Sequence, residues 1–304
     1  MASLYTHKES NIRRTYLIFA LFFSIVIAIG WTFSQIYGDP SILIVAVVFS
    51  SLMSIISYWF SDKIILRMTR AVPIDMKNNP ELYRIVENLC ITAGLPMPKI
   101  YLVPERQPNA FATGRDPEHA VIAVTAGLLE RLDRSELEGV LAHELSHIGN
   151  RDMLVSTVSV ILFGFISILA DMSLRSMWWG GGQRGNNRKG GNGLILIIGI
   201  ALPILAILAA LVARLMHLAI SRRREFLADT SGALLTRYPE GLAKALIKIS
   251  SDPTPMAVAS NTTAHLWFDD PFDNPKRQTP LFHKLFMTHP PVEERVRALK
   301  EMSL

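Results

Sequence analysis

The segment His143-Glu144-Leu145-Ser146-His147 carries the most specific chemistry in the chain. Residues four apart on a helix share a face about one turn apart. Two imidazoles so placed can reach one ion at roughly 2.0–2.1 Å, the distance that zinc demands. Glu144 then stands beside the metal without being a ligand, where it can take a proton from a water whose pKa zinc lowers to about 7. The spacing therefore points to metal-assisted hydrolysis. A catalytic zinc with two histidines needs a further protein ligand. Glu225 and Asp229, in Arg222-Arg223-Arg224-Glu225-Phe226-Leu227-Ala228-Asp229, are four apart and share a helical face. One of them can bind the metal while the other accepts a hydrogen bond from a ligand imidazole, and spacing alone does not say which.

The elements that position these groups follow from periodicity and turn chemistry. Leu137, Leu141, Leu145 and Ile148 recur at helical spacing, and Ser135 with Glu138 offers a capping box to open that helix. Lys99–Val103 and Ala120–Thr125 read as short strands joined by a connection containing Pro and Gly, followed by a helix around Ala126–Leu132. Further helices are expected over Arg222–Leu235, Gly241–Ser250 and Val292–Glu301, with Asp252–Gln278 as a loop rich in Pro, Asn and Asp.

The setting is a membrane. Of 304 residues 50% are hydrophobic and only 19% charged, where a soluble domain is nearer a quarter charged. Four runs approach the ~20 residues needed to span a bilayer: Thr15–Ile36, Ser41–Phe60, Met153–Ala170 and Leu194–Ala213. Tyr37-Gly38-Asp39-Pro40 allows only a tight turn between the first two, which form a hairpin too long to be a cleaved signal. Lys8, Arg13 and Arg14 precede it and Lys63, Arg67 and Arg70 follow it, which puts both flanks in the cytoplasm. Arg175, Arg184, Arg188 and Lys189 between the last two runs oppose this orientation, although the first hairpin usually dominates. The expected division is 1–62 for the first hairpin, 63–152 for a polar section with the metal-binding helix, 153–216 for the second hairpin and 217–304 for a second polar section. The lone Cys90 excludes an intramolecular disulfide and a Cys₄ zinc site. The net charge of +5 lies largely beside apolar runs, so lipid headgroups are its expected partners and nucleic acid is not.

With these motifs in hand, the chain resembles the HtpX family of membrane-bound zinc endopeptidases and the wider peptidase family that includes the CAAX prenyl endopeptidases. The resemblance rests on Asn109-Ala110-Phe111-Ala112-Thr113-Gly114, the metal-binding helix, the Glu225–Asp229 segment, and Thr288-His289-Pro290-Pro291 with Glu294 and Arg295. It implies an α+β, mostly helical fold, with four transmembrane helices and a zincin (gluzincin-like) domain bearing a small edge-exposed sheet. It implies one Zn²⁺ per chain, with Glu225 as third ligand and Asp229 orienting a ligand histidine. His289 and Arg295 would support the oxyanion, Asn109 and Ala110 would line the substrate cleft, and Ala120, Val121, Ile122, Ala123 and Val124 would form the exposed edge that receives substrate. The implied role is cleavage of misfolded or damaged membrane proteins at the cytoplasmic face of the cell membrane. An inactive membrane scaffold or metal-binding regulator is the alternative of another class, which the presence of Glu144 disfavours. An intramembrane protease is disfavoured by Glu136, Glu138, Asn150, Arg151 and Asp152 around the metal helix, and a CAAX-type prenyl-peptide protease by the small number of spans.

Overall fold

The computed structural model describes residues 4–162, 164, 222–259, 263–272 and 290–302. The chain opens with a helical hairpin, α1 (Leu4–Tyr37) and α2 (Ser41–Trp59). The turn is made by Gly38 at φ +67, a conformation open to glycine, and by Asp39, whose carboxylate accepts the Ser41 N–H at 2.9 Å. The apolar window of α1, Glu9–Gln35, covers 27 residues, which at ~1.5 Å per residue exceeds the thickness of a hydrocarbon core. The 19 residues of α2 come close to that thickness. Both are mostly unburied, with 22% of the α1 window and 11% of the α2 window covered by the rest of the protein. Ile44, Val48, Leu52 and Ile55 form one stripe of α2, each more than half exposed, an apolar face that suits contact with lipid. Ser50, Ser51 and Ser54 donate their hydroxyls to carbonyls four residues back, so α2 carries no unpaired hydroxyl there.

Next come α3 (Ser61–Met68), β1 (Val72–Pro73) and α4 (Pro80–Ala93). Asn79 caps α4 by accepting the Leu82 N–H at 3.1 Å, and Gly94 in the left-handed region ends it. The sheet adds β2 (Lys99–Val103), β3 (Ala110–Thr113) and β4 (Val121–Thr125) in the order β1-β2-β4-β3. Strand β4 runs parallel to β2 on one side and antiparallel to β3 on the other. The expected exposed edge over Ala120–Val124 is thereby corrected. Those residues sit in the middle of the sheet with both flanks paired, and β3 is the outer strand. Sequence places β3 within a connection, but its Ala-Phe-Ala-Thr side chains are all buried.

After α5 (Ala126–Arg131), α6 (Arg134–Gly149) runs as the central helix. Its capping box is formed by Asp133 and Glu136, not by Ser135 and Glu138. The Asp133 carboxylate accepts the Glu136 N–H at 3.0 Å, and the Glu136 carboxylate accepts the Asp133 N–H at 2.9 Å. Asp133 wins because a carboxylate at the helix start also complements the helix dipole, while Ser135 donates to it at 2.8 Å. Leu137, Leu141, Leu145 and Ile148 are buried as the periodicity predicts, in one cluster with Ile85, Leu89, Ile122, Leu242 and Leu299. Beyond Arg151 (φ +57), α7 (Asp152–Leu162) leads away. It packs Leu154, Val155, Val158 and Leu162 against Ile18 and Phe22 of α1. Only this part of the third predicted span is described; the fourth, the basic loop before it and His289 lie outside the described residues.

The second polar section supplies α8 (Arg222–Thr236), α9 (Pro239–Ser250) and α10 (Val292–Lys300); α8 ends, and α9 and α10 both start and end, within a residue or two of the predicted limits. Helix α8 crosses α6 so closely that a Cβ on Gly232 would lie 2.9 Å from the His143 backbone nitrogen. Gly232→Val is therefore expected to push the two helices apart, lowering thermal stability by about 1–3 kcal/mol and weakening metal retention in the same protein. An unchanged melting temperature would show that α8 yields without cost.

Candidate metal centre

Helix α6 is fixed by its cap at one end and its leucine stripe below, which leaves His143 and His147 on the face turned toward α8. His143 is almost fully buried, and the His147 side chain is 16% exposed. Glu225, from the first turn of α8, brings its carboxylate oxygens to 3.7 Å from His143 Nε2 and 3.6 Å from His147 Nε2. The two Nε2 atoms are 3.1 Å apart. Neighbouring corners of a zinc tetrahedron with ~2.05 Å bonds are about 3.3 Å apart. The three donors thus have the spacing of ligands around a single ion, and among the described residues no other His, Cys, Asp or Glu group converges so. Glu144 is buried beside them on the same turn.

Each imidazole is held from behind by a carboxylate. Asp229 Oδ1 lies 2.9 Å from His143 Nδ1, set off the line of the N–H. Asp152 Oδ2 lies 3.2 Å from His147 Nδ1. Both contacts favour a proton on Nδ1 and a free lone pair on Nε2, the tautomer a metal requires. Sequence did not single out Asp152, although an acid five residues after a ligand histidine at a helix end was a readable signal.

Arg295 is fully buried and grips Asp229 with a two-pronged pair of hydrogen bonds, Nε to Oδ2 at 2.8 Å and Nη2 to Oδ1 at 2.7 Å. A third nitrogen donates to the Phe268 carbonyl at 3.3 Å and lies 3.9 Å from Glu225 Oε2. Arg295 stands behind the three donors, its planar fork spent on Asp229. Asn109 is tied to the backbone on both sides. It is buried, its Nδ2 donates to the Asp269 carbonyl at 2.9 Å, and its Oδ1 accepts the N–H groups of Ala110 and Asp269. With the Phe268 N–H on the Ala110 carbonyl at 2.8 Å, this staple lashes the 263–272 segment to the outer side of β3. Phe268 itself meets the His143 ring edge-on, centroids 5.0 Å apart. Phe268 lies in a stretch that reads as loop and gives no sequence signal of this role.

Electrostatics follow the geometry. Burial acts to raise the Asp229 pKa, but the Arg295 charge and hydrogen bonds, aided by His143, overcome it and hold the carboxyl at about 2. Burial pushes His143 down to about 4, against the opposing pull of Asp229, so its imidazole is neutral at physiological pH. Burial also opposes charge on His147, yet its Asp152 hydrogen bond and the charges of Glu225, Asp152 and Glu144 win, raising it to about 9.

The model of peptidase family M48 matches residues 76–303. A protein described as "Protease HtpX homolog" from Thermoanaerobacter pseudethanolicus is 45% identical over 304 residues, covering 99% of each chain. One so described from Caldanaerobacter subterraneus subsp. tengcongensis is 46% identical over 305 residues, again 99% of each. Another from Pyrococcus furiosus is 42% identical over 293 residues, 96% of each. The crystal structure of S. mikatae Ste24p aligns with 95% of this chain and 64% of its own at 18% identity, with a TM-score of 0.49.

Proposed function

The chain belongs to peptidase family M48 and is a membrane metalloendopeptidase, and from that premise we propose that His143, His147 and Glu225 hold one zinc ion while Glu144 acts as general base. The observation that carries this reading is the convergence of two imidazole nitrogens and a carboxylate within 4.8 Å on the turn that also presents Glu144. When bound, zinc supplies a Lewis acid that polarises the scissile carbonyl and makes water acidic enough to attack at neutral pH. Glu144 takes the proton of the attacking water and passes it to the leaving amine, so one carboxylate serves both halves of the hydrolysis. Asp229 and Asp152 keep the two imidazoles aimed, and Arg295 keeps Asp229 ionised and oriented. The outer strand β3 packs beside α6, and because its edge at Ala110 is already bonded to Phe268 and Asn109, an extended polypeptide could add to it only beyond Ala110. His289 is retained as the oxyanion donor on the family resemblance alone.

The substrates we propose are misfolded or damaged membrane proteins, cleaved at the cytoplasmic surface. Support comes from a hairpin with an exposed apolar face joined directly to α3 and the sheet, which holds the centre close to a bilayer. The protein in detergent is expected to cleave casein, to stop on treatment with a chelator, and to resume when zinc is returned. The His147 proton competes with zinc at every pH below about 9, because only a neutral imidazole binds metal. Apparent zinc affinity should thus fall as pH is lowered, by about tenfold per unit for one displaced proton. Casein cleavage unaffected by chelator would remove zinc from the mechanism.

The same reading fixes the direction of the hairpin. Cys90 is buried, so single cysteines can be introduced for labelling with little background. A thiol at Lys8 or Glu301 should react only from the cytoplasm, and one at Asp39 in the hairpin turn only from outside. Labelling of Asp39 from the cytoplasm would invert the topology.

A further inference from the structure

Asn11 precedes the charge-free run of α1, yet it is only 3% exposed. Its Nδ2 donates to the Asn150 carbonyl at 2.9 Å and to Asp152 Oδ1 at 2.6 Å. The second oxygen of the same carboxylate is the one on His147 Nδ1, at 3.2 Å. A path of two hydrogen bonds therefore leads from the membrane hairpin to an imidazole of the candidate metal centre. The packing of Ile18 and Phe22 on Leu154, Val155, Val158 and Leu162 sets α1 against α7 in the register that makes this contact.

A helix that served only as a tether would need no polar contact with the centre. Asp152 also faces Arg224, with Nη1 3.4 Å from Oδ1. An asparagine adds a directed donor to the crowded oxygen without adding a second cation beside a metal site. Its other hydrogen holds the Asn150 carbonyl at the C-cap of α6, so one side chain fixes both the carboxylate and the turn that delivers it.

We propose that α1 completes the metal centre as well as anchoring the protein, with Asn11 as a positioning residue that acts through Asp152 to keep His147 aimed. The inference rests on His147 being a zinc ligand. Its consequence is that metal retention depends on α1 being docked on α7, which ties catalytic competence to an intact hairpin.

The test uses the full-length protein in detergent, with Zn²⁺ affinity measured by competition against a chelating dye. Asn11→Ala is expected to raise the dissociation constant about 5- to 10-fold, and Asp152→Ala on the order of 10- to 100-fold, as for a residue that orients a ligand. The double variant should match Asp152→Ala within about twofold, because the Asn11 effect has no route once Asp152 is gone. The Co²⁺ absorption spectrum should shift in Asn11→Ala, which a remote loss of packing would not cause. If Asn11→Ala fails to fold, Asn11→Ser enters the same comparison. An unchanged affinity in the Asn11 variant, or an Asn11 effect of the same size with and without Asp152, overturns the proposal. Wild type that binds no Zn²⁺ overturns the metal assignment and this inference with it, whereas tight wild-type binding matched by the Asn11 variant overturns this inference alone.

Discussion

Glu144→Gln should lose proteolysis by several orders of magnitude while keeping both the fold and the metal. Glutamine has the shape of glutamate and fits the same buried site, but it cannot take up the proton of an attacking water. General-base removal alone costs on the order of 10²–10⁴ in rate, and here the same group also protonates the leaving amine. The three donors that converge on the ion position are untouched, so zinc content by mass spectrometry should equal that of wild type. Self-digestion during purification should cease in the variant. Casein cleavage at a comparable rate would remove Glu144 from the mechanism.

Glu225→Ala and Asp229→Ala should fail in different ways. Glu225 faces both Nε2 atoms, so its loss should leave well below one zinc per chain after dialysis. Asp229 touches the far side of His143 and also neutralises the buried Arg295. Its loss should weaken zinc by only about 10- to 100-fold, but a buried guanidinium left with only the Phe268 carbonyl and the more distant Glu225 should cost up to about 3–5 kcal/mol of stability. Zinc content and thermal unfolding, measured on both variants, separate the roles. If Asp229→Ala strips the metal while Glu225→Ala keeps it, the assignments are exchanged. If neither changes zinc content, the third ligand lies elsewhere.

The parts of this centre written in local spacing were legible in the sequence. Two histidines one helical turn apart, a leucine stripe beneath them, and an acidic pair on a second helix all depend on a 3.6-residue period. What could not be read depends on pairing between distant segments. Whether Val121–Val124 is an edge or an interior strand is decided by Ala110–Thr113, a four-residue run without alternating polarity that pairs with it. Arg295 reads as a substrate group because its motif adjoins His289, while its place under Asp229 is set by the docking of α10 on α8 and α9. Asp133 and Ser135 both suit a helix start, and two residues of boundary error moved the cap. Asn11 and Asp152 are 141 residues apart, and no local pattern announces their contact.

The most direct test of the centre is the zinc K-edge X-ray absorption spectrum of the wild-type protein in detergent. The predicted spectrum has one zinc per chain with two imidazole nitrogens and oxygen ligands at about 2.0–2.2 Å and no sulfur, and loses its carboxylate oxygen in Glu225→Ala. A sulfur shell, a single imidazole, or a spectrum unchanged in Glu225→Ala would contradict the assignment of His143, His147 and Glu225.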